Sequence, residues 1–103
     1  PWEIGKAFDQ SAPIGPVVPA ADLPGIHEAA IQLTVNGALR QTSSITKLIW
    51  SVAETIEHLS RAWELQPGDL IFTGTPEGVA AVVQGDLLVG HVDGLPELSV
   101  RIV

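Results

Sequence analysis

An α+β domain, predominantly β, is predicted, with a mixed sheet rolled or partly closed into a barrel and one helix packed on it. Three observations lead there. Short apolar runs bounded by Gly, Pro, Asn and Asp recur along the chain, as strands between turns do. A single segment, in the fifties, repeats its apolar residues at helical spacing. The 103 residues, 46% of them apolar, bound one small domain with material for a core.

The elements follow in order. Trp2, Ile4, Lys6 and Phe8 share one face if residues 2–8 are extended, because strand side chains alternate. Lys6 then stands among large apolar neighbours. Either the strand is irregular and the amine reaches water, or a pocket holds the amine and gives it an anion to bind. Residues 11–25 carry Pro13, Pro16, Pro19 and Pro24, which read as a stiff, extended excursion. Ile31, Leu33 and Val35 alternate with Gln32 and Thr34, and Asn36-Gly37 closes a hairpin whose return strand begins near Leu39.

Ser51 and Glu54 are spaced as a capping box. Val52, Ile56, Leu59 and Trp63 form an apolar stripe, so a helix is expected over 51–63, its stripe laid on a sheet. Glu57 and Arg61 sit at ion-pair spacing on its outer side, and His58 is expected to face solvent there. Two turns then feed strands, Gln66–Asp69 into Leu70-Ile71-Phe72 and Gln84–Asp86 into Leu87. The tail pairs Leu87–Val92 with Leu98–Val103 around Asp93-Gly94.

Composition removes several function classes. A net charge of −7, with no cluster among Lys6, Arg40, Lys47, Arg61 and Arg101, argues against nucleic acid and anionic membrane surfaces as partners. The absence of cysteine excludes disulfides, thiolate metal sites and thiol nucleophiles. No apolar run reaches the roughly 18 residues of a spanning helix. A cytoplasmic setting is the default expectation. The chain opens on Pro1 and contains no methionine, which reads as a piece of a longer protein.

Residues 73–78, Thr-Gly-Thr-Pro-Glu-Gly, are the most distinctive stretch. Two glycines, two hydroxyls and a proline beyond an apolar strand describe a loop whose N–H groups can approach a ligand. They also describe a tight connection with local side-chain bonds. No Gly-Lys-Ser/Thr follows, so it is not a P-loop. His27, His58 and His91 lack the spacing of a metal site. His91 and Asp93 would share a strand face, where a two-ligand contact competes with the commoner reading as exposed polar residues. None of the serines sits in a nucleophile elbow.

Taken together, several blocks resemble the C-terminal half of the fumarylacetoacetate hydrolase family. They are Trp2–Asp9, Ala12–Pro16, Val35-Asn36-Gly37, Arg40-Gln41, Ile49-Trp50, Pro67–Val79 and Gly90–Gly94. The likeness is strongest to its acylpyruvate hydrolases of aromatic-acid catabolism and spans essentially residues 1–103. A Gly-Lys-x-Phe block and a Thr-Gly-Thr-Pro block at this separation are specific jointly, weak singly.

The resemblance implies a metal-dependent hydrolase that cleaves a C–C bond of fumarylpyruvate or a related acylpyruvate, using Mg²⁺ or Mn²⁺ and usually a homodimer. It implies Lys6 as the electrostatic stabiliser, which favours the pocket reading, and Gly74 and Thr75 as donors to the substrate carboxylate. The family's metal ligands, a Glu-x-Glu motif and an Asp, and its His–Glu pair precede the matching blocks and are absent here. Half an active site is therefore expected, with the metal ligands outside this chain and the chain alone inactive. The alternatives are a 2-oxo acid isomerase or decarboxylase of the same family, and a noncatalytic β-rich assembly or binding module.

Overall fold

The computed structural model describes residues 1–103 as an open four-stranded antiparallel sheet with peripheral helices. The strands are β1 (Ala30–Val35), β2 (Ala38–Ser44), β3 (Leu87–Val92) and β4 (Leu98–Arg101). Their order across the sheet is β2-β1-β3-β4. This is the α+β class expected, but the sheet is neither mixed nor partly closed into a barrel: every pairing is antiparallel and the edges are left open at β2 and β4.

The hairpin forms where Asn36-Gly37 requires it. Asn36 and Gly37 take φ of 51° and 80°, the positive pair of a two-residue turn. Asn36 does more than turn the chain. Its Nδ2 donates to Asp86 Oδ1 at 2.8 Å, and its Oδ1 accepts from Leu87 N at 2.9 Å. The turn between β1 and β2 is thereby tied to the start of β3. Asp86 also accepts the Val83 N–H at 2.9 Å. That backbone donor, helped by the Asn36 amide, holds its carboxyl below the ordinary aspartate value.

β1 then pairs with β3 (Ile31 opposite Val92, Leu33 opposite Gly90), and β3 pairs with β4 across the Asp93-Gly94 turn. The Pro-rich stretch runs against β4, with a Cβ at Gly15 lying 3.9 Å from Leu98 Cδ1.

Two expected strands are absent. Trp2–Lys6 is a short helix, α1, instead of a strand. Four alternating residues without a neighbouring strand gain no ladder, whereas Glu3 in the first turn and Lys6 in the last suit the helix dipole. Leu70-Ile71-Phe72 forms no strand, because no segment lies alongside to accept its hydrogen bonds.

The main helix, α2, spans Val52–Ser60 and carries both halves of the capping box. Glu54 N donates to Ser51 Oγ at 3.2 Å, and Ser51 N donates to Glu54 Oε2 at 2.8 Å. Glu57 and Arg61 pair as their spacing predicts. The stripe of α2 is not laid on the sheet: no residue of the helix is buried, and Ile56 is 43% exposed. Nor is His58 simply solvated, since it stacks on Trp50 with ring centroids 4.3 Å apart.

Only Ala29 and Val35 are buried, while Ile49 is 97% exposed and Phe72 67%. The radius of gyration is 14.9 Å, against roughly 13 Å for a compact domain of this size. A broad apolar surface is therefore left for something else to cover. No helix is long and apolar enough to cross a membrane.

Candidate functional site

The Thr73–Gly78 loop lies over strand β2, held there by two features of the sequence. Gln41, on β2, reaches the loop with its side-chain amide. Its Nε2 donates to Thr75 Oγ1 at 3.0 Å, Pro76 O at 2.8 Å and Glu77 O at 3.3 Å. Gly78 supplies the second feature. It has φ of +98°, and a Cβ built there would fall 2.5 Å from Arg40 O. The chain can pass this close to β2 only without a side chain. The loop's shape is imposed by a neighbouring strand, where local turn bonds alone would leave it free to move.

Gly74 and Thr75 project at the junction of three cavities. One, about 420 Å³, is mainly apolar and brings Ile14, Pro16, Leu33 and Leu95 together with Gln41 and His91. A second, about 410 Å³, is polar, with Thr42, Ser43, Ser44 and Lys47 facing the loop. The third, about 640 Å³, is bounded by Lys47, Trp50, Thr55 and Phe72. Gly74 has φ of +103°, and a Cβ built there would meet nothing within 4 Å, so that side of its backbone is open to a ligand.

Lys6 lines none of these three cavities. It is exposed on α1, with its Nζ 5.2 Å from the centroid of the Trp2 ring. The pocket expected around it is not formed by these 103 residues, and the cation bordering the loop's cavities is Lys47. Lys47 and the amide of Gln41 are the residues that sequence reasoning missed. Arg40-Gln41 stood among the matching blocks, but nothing local in the sequence signals a bond across more than thirty residues.

His91 and Asp93 do share a face. His91 Nε2 lies 3.4 Å from Asp93 Oδ1, and its Nδ1 is buried, without a hydrogen bond, 3.8 Å from Glu97. Asp93 Oδ2 is already taken by the Ala30 N–H at 2.9 Å. No three His, Asp or Glu side chains come together to hold a metal ion. The donors present do not form a site that fits a divalent ion.

Comparison with known proteins agrees with the fold. The fumarylacetoacetate (FAA) hydrolase C-terminal family matches residues 1–103. The fumarylpyruvate hydrolase of Ralstonia sp. is 46% identical over 102 residues, 99% of this chain and 53% of that protein. The mitochondrial oxaloacetate tautomerase of Rattus norvegicus is 36% identical over 102 residues, 99% of this chain and 46% of its own length. Among solved structures, fumarylpyruvate hydrolase from Pseudomonas aeruginosa in complex with Mn²⁺ and pyruvate superposes with a TM-score of 0.95. It is 63% identical and covers all of this chain, which spans 44% of it. The chain thus spans about half the length of the relatives it matches. Sequence and fold agree over all 103 residues, and the chain belongs to the fumarylacetoacetate hydrolase family.

Proposed function

We propose that this chain is the C-terminal half of a metal-dependent hydrolase that cleaves a C–C bond of fumarylpyruvate or a related acylpyruvate in aromatic-acid catabolism. It would act in the cytoplasm as a homodimer. The observation that carries this reading is the Thr73–Gly78 loop, braced on β2 and open at Gly74 and Thr75, in a chain 63% identical to a hydrolase crystallised with Mn²⁺ and pyruvate. The scarcity of buried residues supports the view that further polypeptide completes the domain.

In this reading the Gly74 N–H and the Thr75 hydroxyl donate to the carboxylate of the 2-oxo acid, which fixes the substrate's orientation. Water adds to the distal carbonyl, and the bond between that carbon and the pyruvyl CH₂ breaks. The electron pair passes to the pyruvyl fragment as its enolate, which takes a proton to give pyruvate. Lys6 serves as the positive charge that favours the enolate, once the rest of the domain brings its amine to the substrate. A divalent ion held by residues outside this chain would supply Lewis acidity.

A second reading, oxaloacetate tautomerase, is favoured by the relatives at 36% identity. It needs the same carboxylate donors and also passes through an enol of a 2-oxo acid. The decisive assay supplies the longer protein with Mn²⁺ and either fumarylpyruvate or enol-oxaloacetate. Equimolar fumarate and pyruvate are expected from the first. Rapid ketonisation of oxaloacetate without acylpyruvate cleavage would replace the hydrolase reading with the tautomerase.

A further inference from the structure

We propose that Gln41 is a positioning residue that sets the polarity of the Thr75 hydroxyl, turning its proton outward to the ligand. This rests on the reading that the loop receives a carboxylate. The argument begins with the orientation of the Gln41 amide. Pro76 O and Glu77 O, 2.8 and 3.3 Å from one end of that amide, accept hydrogen bonds and cannot donate. The end facing them must be the nitrogen. The same nitrogen lies 3.0 Å from Thr75 Oγ1.

An amide nitrogen donates and does not accept, because its lone pair is delocalised into the carbonyl. Thr75 Oγ1 can only accept from it, so the hydroxyl proton is barred from the direction of β2. It is left to point into the cavities that Thr75 lines. A serine or threonine hydroxyl ordinarily rotates to suit its surroundings. Here the strand has chosen its direction before any ligand arrives, and preorganised donors of this kind are the effective ones. The bond to Pro76 is part-buried and anchors the amide, while the bond to Thr75 faces the open side where a ligand would enter.

The test compares Gln41→Ala, Gln41→Glu, Thr75→Val and the Gln41→Ala/Thr75→Val double variant in the longer protein. One readout is pyruvate affinity with Mn²⁺ present. The other is amide hydrogen exchange of the 73–78 segment with no metal or ligand. Thr75→Val is expected to weaken pyruvate binding about tenfold or more, the loss of one hydrogen bond to a charged group. Gln41→Ala is expected to weaken it comparably and to speed exchange in the loop. The double variant is expected to be little worse than either single change, because Gln41 acts through Thr75.

Gln41→Glu is nearly isosteric but also loses the donor to Pro76 O and Glu77 O, so its loop exchange is compared with that of Gln41→Ala. The introduced carboxylate would draw the Thr75 proton back toward β2 and weaken binding more than Gln41→Ala does. Losses that multiply in the double variant, or a Gln41→Glu protein that binds as well as wild type, would overturn the proposal while leaving the carboxylate reading in place. Unchanged binding in Thr75→Val would overturn that reading, and this inference with it.

Discussion

Replacing Gly78 with alanine probes the close passage of the loop over β2, and the structure provides its own control. Gly74 and Gly78 have similar backbones, with φ of +103° and +98°. An L-residue at either position pays the cost of a left-handed conformation, about 1–2 kcal/mol. A Cβ at Gly74 meets nothing within 4 Å, whereas at Gly78 it meets Arg40 O at 2.5 Å and Gln41 Cγ at 3.2 Å. The first of these atoms is backbone, at the β-bulge of β2 where Arg40 has no partner in β1, and it is not the movable end of a side chain. The alanine must therefore shift the loop or the bulge beneath it, an overpacking cost of about 1–3 kcal/mol beyond the conformational one.

Gly74→Ala should then lower stability by about 1–2 kcal/mol, and Gly78→Ala by about 2–5 kcal/mol. In a protein of 200 residues or so the difference corresponds to a melting temperature lower by about 2–12 °C. Urea unfolding of the two variants side by side measures it, with the m-value checked for constancy. Displacement of the loop also stretches the Gln41 bonds, so Gly78→Ala should lose pyruvate affinity. A Gly78→Ala protein as stable as Gly74→Ala would show that the loop does not rest on β2.

Two further outcomes are expected. Lys6→Ala in the longer protein should lower kcat about 10²-fold or more while leaving the melting temperature nearly unchanged. The amine touches only the Trp2 ring here, so a near-normal rate would remove it from the site. Stability should fall with acid, because the carboxyls of Asp86 and Glu54 are held low, chiefly by the backbone N–H groups of Val83 and Ser51. A depressed folded pKa means that the unfolded chain binds more protons. The contribution is therefore present above the ordinary carboxylate range, about pH 4, and is lost as pH falls below it. Asp86→Asn should flatten the acid limb of a stability–pH curve, and an unaltered slope would show that these hydrogen bonds do not persist in solution.

Legibility from sequence followed the range of the interactions. The Asn36-Gly37 hairpin, the Ser51–Glu54 capping box and the tail strands were readable because neighbours in sequence impose them. Trp2–Phe8 and Leu70–Phe72 were misread as strands for the complementary reason. Alternation permits a strand, but only an adjacent strand with free hydrogen-bonding groups makes one. The stripe of α2 shows the same limit. Amphipathicity says that a face wants cover, and these residues do not provide it.

The sequence by itself determined the family, through blocks that are specific jointly along residues 1–103, and it determined the turn chemistry and the candidate loop at Gly74 and Thr75, which depend on residues close along the chain. The tertiary structure alone decided what braces that loop. Gln41 and Arg40 reach it across more than thirty residues, through a strand pairing whose register no local pattern encodes. It also decided which cation borders the loop's cavities, since Lys47 and Lys6 are indistinguishable as letters and differ only in where the backbone carries them.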